Sequence, residues 1–177
     1  MAFEFRKSTL TDIPTLLHLA EEAKKTMRQS GNLTQWSDGY PSDEVFRNDI
    51  GKGVSYVIEE NGVAVGTFAF VPGPDPTYAQ IYDGQWADDT QPYFVIHRIA
   101  SLPESHGTMA ALLDFCFSKT RNIRIDTHRD NAIMRHLLEK HGFDYCGIIY
   151  LLNGDERLAF QKNDLITCFS RNNRGLF

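Results

Sequence analysis

The stretch Ile125–Phe143, IDTHRDNAIMRHLLEKHGF, changes character twice. It begins as a short apolar strand with Ile123 and Ile125, crosses the polar run Thr127–Asn131, and continues as an amphipathic helix. Ile133, Met134, Leu137 and Leu138 recur at helical spacing, Asp130 stands at the cap position, and Gly142 stands where a left-handed residue closes a helix. The same junction occurs upstream. Tyr93–Ala100 is a continuous apolar run of the kind buried on both faces of a sheet. After a short turn, Met109, Leu112, Leu113, Cys116 and Phe117 mark a helix from Gly107 to Lys119. Strands that feed directly into helices indicate an α/β chain.

Further out, Phe3–Lys7 alternates as a first strand, and Thr11-Asp12-Ile13-Pro14 opens a helix carrying Ile13, Leu16, Leu17, Ala20 and Met27. Gly31–Tyr40 reads as a loop, and Pro41-Ser42-Asp43-Glu44 starts a second helix that Gly51-Lys52-Gly53 stops. Val54–Glu59 and Val63–Val71 form a hairpin across Glu60-Asn61-Gly62. Pro72-Gly73-Pro74-Asp75-Pro76 breaks the chain, a short strand is expected at Tyr78–Tyr82, and Phe143–Leu151 pairs with Arg157–Lys162 around Asn153-Gly154. The reading is one α/β domain over 1–162, with 163–177 as a loose tail or a dimer contact.

The chain has 177 residues, 42% hydrophobic and 23% charged, in the range of a globular domain, and a net charge of −5. That balance excludes a nucleic-acid or anionic-membrane surface, which needs clustered Lys and Arg. Cys116, Cys146 and Cys168 fit neither a zinc site nor a disulfide framework, so no metal is expected and a reducing cytoplasm is. No segment reads as a signal peptide or a membrane span.

A helix that starts directly after a strand presents unpaired backbone N–H groups and the positive end of its dipole, which suits an anion. Gly107, at such a start, lets phosphate oxygens approach the backbone or simply eases a tight turn. Neither a Walker loop nor a dinucleotide G-x-G-x-x-G is present.

With VIHRIASLPESHGTMAALL and DNAIMRHLLEKHGF at its two junctions, the chain resembles the GNAT superfamily of acyl-CoA-dependent N-acetyltransferases over nearly its whole length. QWSDGYP, HRIA and IDTHRDN are similar to a bacterial subgroup with unassigned acceptors. The resemblance implies a mixed, mostly antiparallel sheet of about seven strands flanked by about four helices, with acetyl-CoA as cosubstrate. It implies that Ile99, Ala100 and Ser101 on the strand, and His106, Gly107, Thr108, Met109 and Ala110 at the helix start, hold the cofactor. It also assigns Asn131, Met134 and Leu138 to the pantetheine arm. The family's Gln/Arg-x-x-Gly-x-Gly/Ala turn is degenerate here: one register puts Glu104 at its first position, another puts His106 at the Arg. Leu138 stands where the family carries a tyrosine that protonates the departing thiolate, so water takes over that role, or the protein is an acyl-CoA-binding regulator without turnover.

An ammonium acceptor needs a group that takes its proton. His97, on the strand before the phosphate turn, is the candidate base, or else a hydrogen-bonded core residue. Arg98 is expected on the opposite face, paired with Asp126. Asp83, Asp88 and Asp89 in DGQWADDTQ point to a small cationic primary amine as acceptor, or serve solubility alone. Trp36 and Trp86 either pack or cover that acceptor, and His128 and Arg129 either touch the adenosine phosphate or are solvated.

Overall fold

A computed structural model describes residues 2–164. The tail reading therefore lies, from residue 165 onward, outside the described residues.

Local signals set the elements. β1 (Phe3–Lys7) leads through a short 3-10 turn into α1 (Ile13–Gln29), which has Pro14 in its first turn. α2 (Asp43–Gly51) is capped by the Ser42 hydroxyl, which accepts from the Val45 N–H. β2 (Ser55–Glu60) and β3 (Val63–Pro72) make the hairpin, with Asn61 and Gly62 both at positive φ (53° and 76°). Then come β4 (Phe94–Ser101), α3 (Thr108–Phe117), β5 (Asn122–Thr127), α4 (Ala132–Lys140), β6 (Asp144–Tyr150) and β7 (Glu156–Asn163). The cap of α4 is Asn131 rather than Asp130: its side-chain oxygen accepts from the Met134 N–H.

The strands form one seven-stranded sheet in the order β1-β2-β3-β4-β5-β7-β6. Every neighbouring pair is antiparallel except β4 and β5, which run parallel. This is the expected mixed, mostly antiparallel sheet with four helices.

Neighbouring residues on a strand point to opposite faces, so each strand feeds two cores. Ile58, Phe68, Ile96, Ile125 and Phe160 pack under α3 and α4 with Leu112, Leu113 and Leu138. An aromatic group fixes α3 over the first strands, with Phe5 and Phe115 stacked at 4.6 Å and Tyr56 on Phe68 at 5.2 Å. On the other face, Val57 packs against Leu16, Ala20 and Phe46 of α1 and α2.

The second half of that face is covered by the long β3–β4 connection, with Tyr78 and Trp86 over Val95, Ile149 and Ala159. The strand expected at Tyr78–Tyr82 is corrected. Pro76–Tyr78 is a 3-10 turn, and Tyr82 makes only an isolated bridge to Ile148, because the prolines upstream deny the segment a ladder.

Candidate active site

β4 is irregular where it matters. Ala69 pairs with His97 and Thr67 with Ala100, so Arg98 and Ile99 stand opposite Phe68 alone. Arg98 takes φ 54°, a left-handed conformation that costs a non-glycine residue about 1–2 kcal/mol. Such a bulge leaves its extra backbone groups unpaired and bends the strand. On its other side β4 pairs with β5 only at Phe94–Ile123 and Val95–Arg124, after which the two strands part. Residues on both sides of the opening line a cleft of about 820 Å³, among them Ile96, Ile99, Ile125 and Met134.

The bulge overturns the expectation for Arg98. It lines the same cleft as His97 and pairs with Asp49, not Asp126. Nε and Nη2 donate to the two Asp49 oxygens at 2.6 and 2.7 Å, and Nη1 donates to the Tyr40 hydroxyl at 3.0 Å. A left-handed residue is thus tied to α2 and to the loop before it.

His97 is half-buried, and its Nε2–H donates to Asp75 Oδ2 at 2.9 Å. Asp75 also accepts from the Thr77 N–H (2.8 Å) and hydroxyl (2.7 Å). Burial raises the Asp75 carboxyl, but these donors and the His97 ring outweigh it and hold the group at about 2, below its usual 3.8. With Nε2–H on Asp75, Nδ1 is the ring nitrogen left for another partner, and it lies 3.9 Å from Asp126 Oδ2. That same oxygen accepts from the Tyr78 hydroxyl at 2.6 Å. Burial, with the Asp126 charge added, pushes the Tyr78 hydroxyl well above its ordinary value, so it stays a proton donor.

The acidic loop does not line the cleft, and that expectation is corrected. Its centre is Arg124, fully buried between the Trp86 ring at 4.0 Å and the Tyr93 ring at 3.9 Å. Arg124 Nη2 donates to Asp89 Oδ1 and to the Asp88 carbonyl oxygen. Asp88 also caps Thr90 and accepts from Asn163, while Asp83 is exposed. Trp86 is buried with its indole N–H on the Tyr78 carbonyl oxygen, so it packs rather than covers a substrate. Trp36 does line the cleft, on a loop gathered by Arg28, which donates to the carbonyl oxygens of Asn32, Gln35 and Trp36.

At the second junction Gly107 caps α3 in the left-handed region (φ 82°), and a Cβ there would meet nothing nearer than Phe3 at 3.9 Å. The first N–H bonded back into the helix is that of Ala111, to the Gly107 carbonyl oxygen, so those of Thr108, Met109 and Ala110 precede the ladder. The turn is open and offers donors, which fits a pyrophosphate. Its side chains include no Lys or Arg: Ser105 donates to Glu60, and Glu104 and His106 are exposed.

The remaining assignments divide. Ile99, Met134 and Asn131 line the cleft, and Asn131 Nδ2 also donates to Gln35 Oε1 on the Trp36 loop. Ser101 pairs with Gly66 in the β3–β4 ladder, Ala100 packs under α1 with Leu19 and Ala23, and Met109 lies in the core. Leu138 is corrected: it is 0% exposed in the α3–α4 core and does not reach the cleft. His128 and Arg129 lie beside the cleft mouth with Thr34 and Glu156. Asp75, Tyr78 and Arg157 were missed, because only the folded β3–β4 connection and β7 bring them to His97.

A sheet opened between two parallel strands, a helix start with outward N–H groups and one large cleft make up the candidate site. The chain belongs to the acetyltransferase (GNAT) family, whose sequence pattern matches residues 19–143. It is an acyltransferase, and the family uses acetyl-CoA. A GNAT-family acetyltransferase from Streptococcus agalactiae is similar at 32% identity and TM-score 0.83, covering 91% of this chain and 95% of its own. One from Listeria monocytogenes has 20% identity and TM-score 0.67, covering 91% and 94%. The NatC complex bound to Gag peptide and CoA, at 14% identity, TM-score 0.59 and coverage of 92% and 99%, shares the fold. No curated protein matches the sequence. Among the described residues no helix is long and apolar enough to cross a membrane.

Proposed function

We propose that the protein transfers the acetyl group of acetyl-CoA to a primary amine that enters the cleft as an ammonium ion, with His97 accepting its proton. The observation that carries this is the His97 ring, held through Nε2–H by Asp75 at 2.9 Å, with Nδ1 directed to the part of the cleft where β4 and β5 separate. A base oriented by a carboxylate in this way has a fixed tautomer and direction. Acetyl-CoA supplies the acetyl group as an activated thioester, with Gly107, Thr108, Met109 and Ala110 at its pyrophosphate and Ile99, Asn131 and Met134 along its arm.

The ammonium gives one proton to His97 Nδ1, the amine nitrogen bonds to the thioester carbon, and the C–S bond breaks as that nitrogen releases its second proton to water. The bulged backbone at Arg98 and Ile99 is the donor we assign to the oxygen on which negative charge develops. The thiolate takes its proton from water, since Leu138 carries none and lies in the core.

A cationic acceptor is supported by Asp38, Asp75, Asp126 and Asp155 in the cleft wall, in place of the acidic loop. Carboxylates there concentrate cations within a Debye length of about 8 Å. The domain we assign to the activity is 1–162.

The test is acetyl-CoA thiol release with and without primary amines, at low and high salt, with the acetylated product identified by mass. Amine-dependent release that weakens with salt supports the proposal. Acetyl-CoA binding without release for any amine turns the reading to an acyl-CoA-binding regulator.

A further inference from the structure

Arg157, near the start of β7, carries a guanidinium with open donors. Its side chain is 9% exposed, and Nη1 donates to the Glu156 carbonyl oxygen at 2.9 Å. Nε, however, stands 4.0 Å from Asp126 Oδ1, and Nη2 stands 3.9 Å from Asp155 Oδ2. Those gaps keep the charges balanced but exceed hydrogen-bond range. No other acceptor among the described residues engages either atom, and neither belongs to the buried atoms left without a partner, so both donors open on the cleft. Arg157 lines both the cleft and the polar pocket of about 280 Å³ at its mouth.

Asp126 connects this guanidinium to the proton acceptor. Its Oδ1 faces Arg157, while its Oδ2 faces His97 Nδ1. The order across the cleft is therefore His97, Asp126, Arg157, with the Asp126–Arg157 pair about 1 Å too wide for a hydrogen bond.

We propose that this open pair receives a zwitterion, and that the acceptor is an amino acid. Its ammonium sits on Asp126 beside His97, and its carboxylate takes two N–H groups of Arg157. The proposal rests on the amine-acetylating reading above and narrows its substrate class. A zwitterion lies alongside the pair, its ammonium on the Asp126 carboxylate and its carboxylate on the Arg157 guanidinium, so that each charge meets its opposite. A diamine would set its second cation against Arg157, and a simple anion would face Asp126 and Asp155 uncompensated. The guanidinium fork matches a carboxylate in shape and charge.

His97 Nδ1 and Arg157 Nε are at most about 10 Å apart, given the width of one carboxylate between them. The amine-to-carboxylate reach of an α- or β-amino acid, with a hydrogen bond of about 2.9 Å at each end, covers that span. Transfer forms the N–C bond and breaks C–S; of the two protons the ammonium loses, one stays on His97 and the other passes through water to the thiolate. The products are an N-acetylamino acid and the CoA thiol, and the neutral amide no longer binds Asp126.

The test is kcat/KM by thiol release for the twenty amino acids, their amides and their decarboxylated amines, with wild type, Arg157→Lys and Arg157→Gln. At least one free acid is expected to exceed its own amide and amine by about tenfold. In Arg157→Gln that advantage collapses while turnover of the decarboxylated amine persists, and Arg157→Lys is intermediate. Amides or amines that match the acids throughout, or an acid advantage that survives Arg157→Gln, overturn it. If no amine releases thiol, the amine reading itself fails. Calorimetric titration of the same acids with CoA present then decides this site separately: binding lost in Arg157→Gln supports it, and no binding to wild type overturns it. Thermal melts confirm that each variant is folded.

Discussion

Replacing Arg98 separates two effects that coincide at the β4 bulge. Its guanidinium neutralises Asp49, which is 5% exposed, and its backbone is held at φ 54°. Removing one partner of a buried pair strands the other charge, at about 3 kcal/mol or more. Arg98→Ala loses that and keeps the left-handed cost. Arg98→Gly loses the same pair but relieves about 1–2 kcal/mol of backbone strain. The freer unfolded chain of glycine takes back about 0.4–1 kcal/mol. The glycine variant is therefore expected to be more stable than the alanine variant by about 1 kcal/mol, or about 2–4 °C in Tm. Both fall well below wild type. Asp49→Asn added to Arg98→Gly should recover part of the loss, because the stranded charge is gone. Thermal and urea unfolding give the stabilities, and kcat should follow the same order if the bulge shapes the site. An alanine variant as stable as the glycine one, or a double variant no better than Arg98→Gly, would refute the reasoning.

Three further outcomes follow from the site and its surroundings. Asp75 is held at about 2, below its usual 3.8, so its contribution to stability is present above the usual value and is lost as pH falls through about 2; Asp75→Asn should shrink the wild-type loss of stability between about pH 4 and 2, by about 2 kcal/mol, in urea titrations at each pH. Leu138→Tyr should lower stability by about 1–3 kcal/mol through overpacking and leave the chemical rate unimproved; a faster single turnover in a stable variant would contradict the core placement. Gly107→Glu should abolish acetyl-CoA binding in a folded protein, since it sets a carboxylate where three helix N–H groups face outward; calorimetric titration with unchanged affinity would remove the pyrophosphate site from α3.

The helix starts were legible because they are encoded within a few residues. Gly107 needs φ 82°, and the cap of α4, read one residue early at Asp130, is Asn131, whose side chain accepts from the Met134 N–H three residues on. The Asn61-Gly62 hairpin is equally local. What escaped depends on long-range placement. Strand alternation put Arg98 opposite His97, and a single left-handed residue reversed that by putting both in the cleft. Charge counting set Asp88 and Asp89 beside a substrate, whereas Arg124, some thirty-five residues on, takes them into a structural cluster. Asp75 reaches His97 from the far end of the β3–β4 connection, a separation of 22 residues that no motif marks. His97 was singled out from its strand and chemistry and lines the cleft, but its partners were not read.

Single-turnover acetyl transfer in wild type and His97→Gln across pH 6 to 9 decides whether His97 takes the acceptor's proton. The variant should bind acetyl-CoA normally while its chemical step falls by about 10²–10⁴ and loses the wild-type pH dependence. A His97→Gln protein that transfers acetyl groups at the wild-type rate, with the same pH profile, would contradict that role.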